Sequence, residues 1–174
     1  GGASLLPGLI DAHVHFLWGG DELLAPDLRS AKSEEEFAQR LGEASKQLAK
    51  GTWLASGTWD HENWPGGPLP TRAMLDRYVP DHPVFVSRLD GHMAVANSAA
   101  IRIAGLSAAT PEVPGGTIVR DEHGEPAGVF KDAAMALVSA RIPAWNAEQR
   151  RHRARAAMRQ AASLGITSVH DMLD

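Results

Sequence analysis

The sequence predicts an α/β fold assembled from parallel βαβ units. Segments 5–16, 83–89 and 166–171 carry strand-like patterns. Helical spacing with capping signals fills 34–50 and the stretch after Asn146. Glycine or proline punctuates most of the junctions. Strands separated by helices favour parallel pairing through right-handed crossovers.

Segment 5–16 reads LLPGLIDAHVHF. After the Pro7-Gly8 break, Leu9, Asp11, His13 and His15 alternate with Ile10, Ala12 and Val14, the period of a strand. Residues 17–32 contain Gly19-Gly20 and Pro26 and are expected to be loop. Ser33-Glu34-Glu35-Glu36 is a capping-box sequence, and Phe37, Leu41, Ala44 and Leu48 then recur at helical spacing towards Gly51, predicting a helix over 34–50. Residues 52–60 look extended, 61–70 form a loop and 71–78 a short helix. Segment 83–89 is the second strand, ended by Asp90-Gly91-His92. Asn97 is placed to cap a helix over 98–104, and Gly105 to stop it. Residues 115–130 read as a hairpin turning over 121–126, and 131–140 as helical. Asn146 with Gln149 opens a long helix ending at Gly165. Arg150, Arg151, Arg153, Arg155 and Arg159 form its solvated flank, and 166–171 is the third strand.

Composition narrows the function classes. With 174 residues and 44% hydrophobic content, the chain can bury a core. A formal net charge of −4 lacks the basic footprint of a nucleic-acid binder, and the arginine run alternates with alanines rather than aromatics. The absence of cysteine excludes disulfides, cysteine-based metal sites and thiol nucleophiles, and is compatible with a reducing cytoplasm. No apolar run approaches the ~18 residues of a membrane span, and the segment beginning at Gly1 shows no signal-peptide pattern. A cytoplasmic protein without membrane or nucleic-acid partners is expected.

His13-x-His15 puts two imidazoles on one strand face, about 6.6 Å apart along it. Two imidazoles so placed can hold one divalent metal, although two buried histidines bonded to carbonyls would leave the same pattern. The pair stands at the C-terminal end of its strand, where (β/α)8 barrels keep their active sites.

The run from Pro7-Gly8 through His13-Val14-His15 resembles the first barrel strand of the metal-dependent amidohydrolase superfamily. Gly57-Thr58-Trp59-Asp60, the stretch 83–92, Asn97-Ser98-Ala99-Ala100, Gly115-Gly116-Thr117-Ile118 and the run 165–171 follow in order, and they resemble amidohydrolase family 3, in the branch of YtcJ-like proteins and N-substituted formamide deformylases. The resemblance implies a partial (β/α)8 TIM-type barrel with its first three strands and an α+β insertion, lacking the small β-sandwich domain and the later strands. Its segments would be the metal-motif strand 5–16, a helix and insertion over 17–83, and the second and third barrel strands with their helices over 84–174, including the hairpin excursion 115–130. A complete barrel takes roughly 250 residues.

The implied activity is metal-dependent hydrolysis of an amide- or formamide-type C–N bond in a small molecule, with zinc as one or two ions. His13 and His15 match the family's first two ligands. The remaining ligands, a bridging lysine, two histidines and a late aspartate that serves as general base, come from later strands, so the catalytic residues lie outside this chain. It is therefore expected to be an incomplete, inactive fragment that self-associates through an exposed barrel edge. The alternative is a non-catalytic regulatory or structural protein derived from the same fold.

Asp90, His92, His170 and Trp59 are the expected substrate-pocket residues. Each has a plainer reading: Arg88 and Asp90 as an ion pair holding a strand end, and Trp59 with Trp64 as core. Asp11 is either a carboxylate orienting a ligand or a structural hydrogen-bond acceptor. Lys131 is not expected to be the bridging lysine, which in the family follows the strand ending at His170-Asp171. His61, His82, His123 and His152 are expected at the surface.

Overall fold

A computed structural model describes residues 2–172; Gly1, Leu173 and Asp174, and with them the end of the expected 84–174 segment, lie outside the described residues. In chain order the first elements are β1 (Leu9–Val14), α1 (Phe16–Glu22), α2 (Glu34–Ser45), β2 (Thr58–Trp59), α3 (Arg72–Tyr78), β3 (Phe85–Arg88), β4 (Met93–Ala96) and α4 (Ser98–Ala104). Then come β5 (Gly116–Arg120), β6 (Pro126–Asp132), α5 (Ala136–Ser139), α6 (Ala147–Ser163) and β7 (Ile166–Asp171). They fall into two units: Gly1–Ala25 with Ala144–Asp174, and Pro26–Pro143.

The first unit is a single βαβ motif interrupted in sequence. β1 and β7 pair in parallel, from Leu9 opposite Ile166 to Val14 opposite Asp171, with register irregularities between. Gly8 makes room for this pairing, because a Cβ there would fall 2.2 Å from the Thr167 side chain. α6 starts on a complete capping box: the Asn146 side chain accepts from the Gln149 amide, and Gln149 Oε1 accepts from the Asn146 amide.

α1 occupies residues expected to be loop. Its glycines look like breakers, but Gly20 lets α6 approach so closely that a Cβ would meet the Arg153 carbonyl oxygen at 2.2 Å. Arg153 is correspondingly not part of a solvated flank. Its Nε donates to the buried Asp21 carboxylate at 2.6 Å, and its guanidinium lies 4.2 Å from the Trp145 ring centre.

The second unit has a five-stranded sheet in the order β2-β3-β4-β6-β5, with β2 and β3 parallel and the other pairs antiparallel. Period-two alternation gives it two apolar faces. Val86, Val95 and Val129 face a core with Phe37, Leu41, Trp59, Trp64 and Leu75. Phe85, Ala94, Ala96 and Phe130 face a second with Ala100, Ile101 and Val138. α2 and α3 supply the first layer and α4 and α5 the second. Ser33 caps α2 by accepting from the Glu36 amide, and α2 ends at Ser45 rather than at 50, with Leu48 outside the buried core.

The expectation that segments 5–16, 83–89 and 166–171 form one parallel sheet is corrected here. β1 and β7 are partners, whereas β3 belongs to the other sheet. The four-residue connection from Arg88 to Met93 explains it. So short a link allows only a hairpin, making β4, an element the sequence reading omitted, the antiparallel neighbour of β3. His82 is also corrected: it is buried, with Nδ1 3.0 Å from the Thr52 carbonyl oxygen. His61 is half-buried against Trp59 and Trp64, while His123 and His152 are exposed as expected.

Candidate functional site

The expected site residues divide between the two units. In the first, His13 is the fifth residue of β1 and His15 follows the strand at the N-terminal cap of α1. Strand alternation turns both rings to one side. Their centroids are 5.8 Å apart with the planes at 71°, and His15 meets the Trp18 ring edge-on at 5.8 Å. Asp11 shares the alternation, but its Oδ1 accepts from the His13 amide at 3.1 Å, a local backbone bond.

The end of β7 is fastened beside this pair. Asp171 Oδ1 accepts from the Phe16 amide at 2.9 Å, and the Met172 amide donates to the Val14 carbonyl at 2.8 Å. Asp171 thus caps the free N–H at the start of α1, a function the sequence reading did not assign to it. His170, one residue before Asp171, is exposed at the end of β7.

Two neutral imidazole nitrogens suit zinc or another first-row divalent ion and supply half of a four-coordinate shell. Among the described residues no group of three or more His, Cys, Asp or Glu side chains is placed to hold a metal ion. Among the described residues the two imidazoles alone therefore make an incomplete donor set. An open cavity of about 260 Å³ in this unit, lined by Phe16, Met158 and residues of β7, does not include the imidazoles.

In the second unit, Arg88, Asp90 and His92 gather where β3 turns into β4. Arg88 is 13% exposed and meets Asp90 and Glu62 at 2.5 Å each, with Asp60 at 3.6 Å. Asp90 spends its other oxygen on the His92 amide at 3.0 Å. Burial pulls the Asp90 carboxyl upward, yet the His92 amide and the Arg88 guanidinium outweigh it and hold the group below the usual carboxylate range. This is the ion pair of the plainer reading. His92 itself is exposed, with Nδ1 2.9 Å from Asp132 Oδ1. Asp132 was not singled out from the sequence, where it falls in the stretch 131–140 read as helical; the structure places it at the end of β6.

Trp59 is corrected as a pocket residue. It is fully enclosed beside Phe37 and Trp64, and its indole N–H donates to the Val86 carbonyl at 2.8 Å. Trp64 is likewise core, donating to the Ala31 carbonyl. Lys131 lies opposite Met93 and Thr117 in the sheet. No helix among the described residues is long and apolar enough to cross a membrane.

A model described as the amidohydrolase family matches residues 1–174. Protein LONG AFTER FAR-RED 3 of Arabidopsis thaliana is 39% identical over 98% of the chain and 29% of its own length. The putative amidohydrolase YtcJ of Bacillus subtilis is 34% identical over 97% and 32%. The N-substituted formamide deformylase of Arthrobacter pascens is 30% identical over 99% and 33%. The chain thus spans about a third of the curated relatives it matches. Among solved structures, an uncharacterized metal-dependent hydrolase from Pyrococcus horikoshii matches with a TM-score of 0.68 and 30% identity, covering 95% of this chain and 31% of that one.

Proposed function

The chain belongs to the amidohydrolase family, and from that premise we propose that it supplies the first two metal-ligating residues, His13 and His15, of a hydrolase acting on a C–N bond of a small amide- or formamide-type substrate. The observation that carries this is the closeness of the two rings, 5.8 Å between centroids, at the end of β1. The metal-dependent hydrolase named above, similar over 95% of the chain, supports the same reading.

A divalent ion, with zinc favoured by the imidazole donors, would supply Lewis-acid polarisation of the substrate carbonyl. The chain's own contribution is placement. Strand alternation brings the two rings together, the hydrogen bond from the His13 amide to the Asp11 carboxylate holds the backbone leading into His13, and Asp171 ties the β1–α1 junction to β7. In this reading the general base and remaining ligands come from other segments of the barrel, so the 174-residue chain alone is inactive. His170 in the first unit, and His92 and Asp90 in the second, each stay proposed as substrate-pocket residues.

The test is metal content and hydrolysis of a panel of N-formyl and N-acyl amines by a full-length homologue carrying this segment. His13→Ala and His15→Ala should each remove bound metal, measured by atomic emission, and abolish turnover while leaving the circular dichroism spectrum unchanged. Full metal occupancy in both variants would refute the assignment. A metal-free, inactive full-length protein would instead favour the non-catalytic alternative.

A further inference from the structure

We infer that Asp132 is a positioning residue that locks His92 in a single tautomer and holds its Nε2 outward as an acceptor for a protic ligand group. The inference rests on no residue of β1 and stands apart from the metal reading. His92 Nδ1 lies 2.9 Å from Asp132 Oδ1. An ionised carboxylate only accepts, so Nδ1 must carry the proton, and in the neutral ring the lone pair is then on Nε2.

The backbone holds the two residues side by side. The His92 amide donates to Asp90 at 3.0 Å, and the His92 carbonyl accepts from the Asp132 amide at 2.9 Å. His92 is thus tied through its ring Nδ1, its backbone N–H and its backbone C=O to Asp132 and Asp90. Asp132 stands at φ 47° and ψ −125°, and is the one non-glycine residue with positive φ among those described. Glycine would adopt that conformation without strain, yet the position carries a carboxylate, the one group that orients the neighbouring imidazole.

The His92 side chain is 75% exposed, so Nε2 faces solvent rather than packing. Arg88, largely buried, is already held by Asp60, Glu62 and Asp90, and Lys131 adjoins Asp132 in sequence. The surrounding charge is predominantly carboxylate. Such a site receives a hydrogen-bond donor, an amide N–H, a hydroxyl or an ammonium, rather than an anion.

The test is ¹⁵N NMR of the histidine rings in the 174-residue chain at a pH above their titration, joined to diethyl pyrocarbonate labelling read by peptide mass spectrometry. The wild type should show His92 with a protonated Nδ1 and a bare Nε2, and His92 should be acylated faster than the exposed His152. Asp132→Ala should move the proton to Nε2 and slow His92 to the rate of His152. Asp132→Asn should preserve the wild-type tautomer, because its amide oxygen still accepts. Asp132→Gly should lose the tautomer while the melting temperature holds or rises, which separates positioning from folding. A wild-type ring protonated on Nε2, or a tautomer unchanged in Asp132→Ala, would overturn the inference.

Discussion

Asn97 shows how one side chain can hold a fold. It is fully buried, its Oδ1 accepts from the Val84 and Ala100 amides at 3.0 Å each, and its Nδ2 donates to the Val79 and His82 carbonyls at 3.1 and 2.8 Å. All of its hydrogen-bonding capacity is used, so Asn97→Ala should destabilise the protein by about 3 kcal/mol, measured by urea unfolding. A loss below about 1 kcal/mol would mean water replaces the amide. Carboxylates set the acid response. Asp27 is held below its ordinary range by bonds from Ser30, and Glu112 by bonds from Arg120 and the Ile118 amide. A carboxyl lowered by folding adds stability that is complete above its unfolded value and lost as pH falls through the folded one. The melting temperature of the Pro26–Pro143 unit should therefore hold from pH 7 to about 5 and drop below about pH 4; a rise on acidification would contradict the assignment. At this scale the sequence reveals pairings between near neighbours, such as the rings of His13 and His15, two residues apart. It leaves Trp59 undecided between pocket and core, and it passes over Asp132, because both depend on strands that pair far along the chain.

Elements were legible where the chain carries its own start and stop. α6 has both halves of its capping box, and Asn146→Ala should cost about 1 kcal/mol, read as a lower urea midpoint at unchanged slope. α4 is framed by Asn97 and the left-handed Gly105, as its residues foretold. α1 and β4 escaped for opposite reasons. The glycines of α1 imitate a breaker although they serve close packing against α6, and the Met-Ala-Val-Ala of β4 is apolar on both faces and shows no period. Pairing was the least legible property. Segment 83–89 has the pattern of a strand, but nothing within it says whether β1, β2 or β4 lies alongside.

On the molecular scale the two units differ in how much they enclose. Pro26–Pro143 buries an apolar layer on each face of its sheet. In the other unit β1 exposes Leu9 and Ile10 at 62% and 66%, on alternate faces, and β1 and β7 each pair only with the other among the described residues. Unpaired edges beside apolar side chains recruit further strands. The 174-residue chain should accordingly self-associate, and multi-angle light scattering should show mass rising with concentration; a monodisperse monomer at high concentration would argue that these surfaces are covered. The interrupted βαβ motif also bears on birth at the ribosome. β1 leaves the exit tunnel roughly ten seconds or more before β7 has been translated, whereas Pro26–Pro143 is finished within that interval and needs nothing made later for its own sheet. The nascent β1 must wait with Leu9 and Ile10 uncovered, and any pause in translating the segment between β1 and β7 prolongs that exposure.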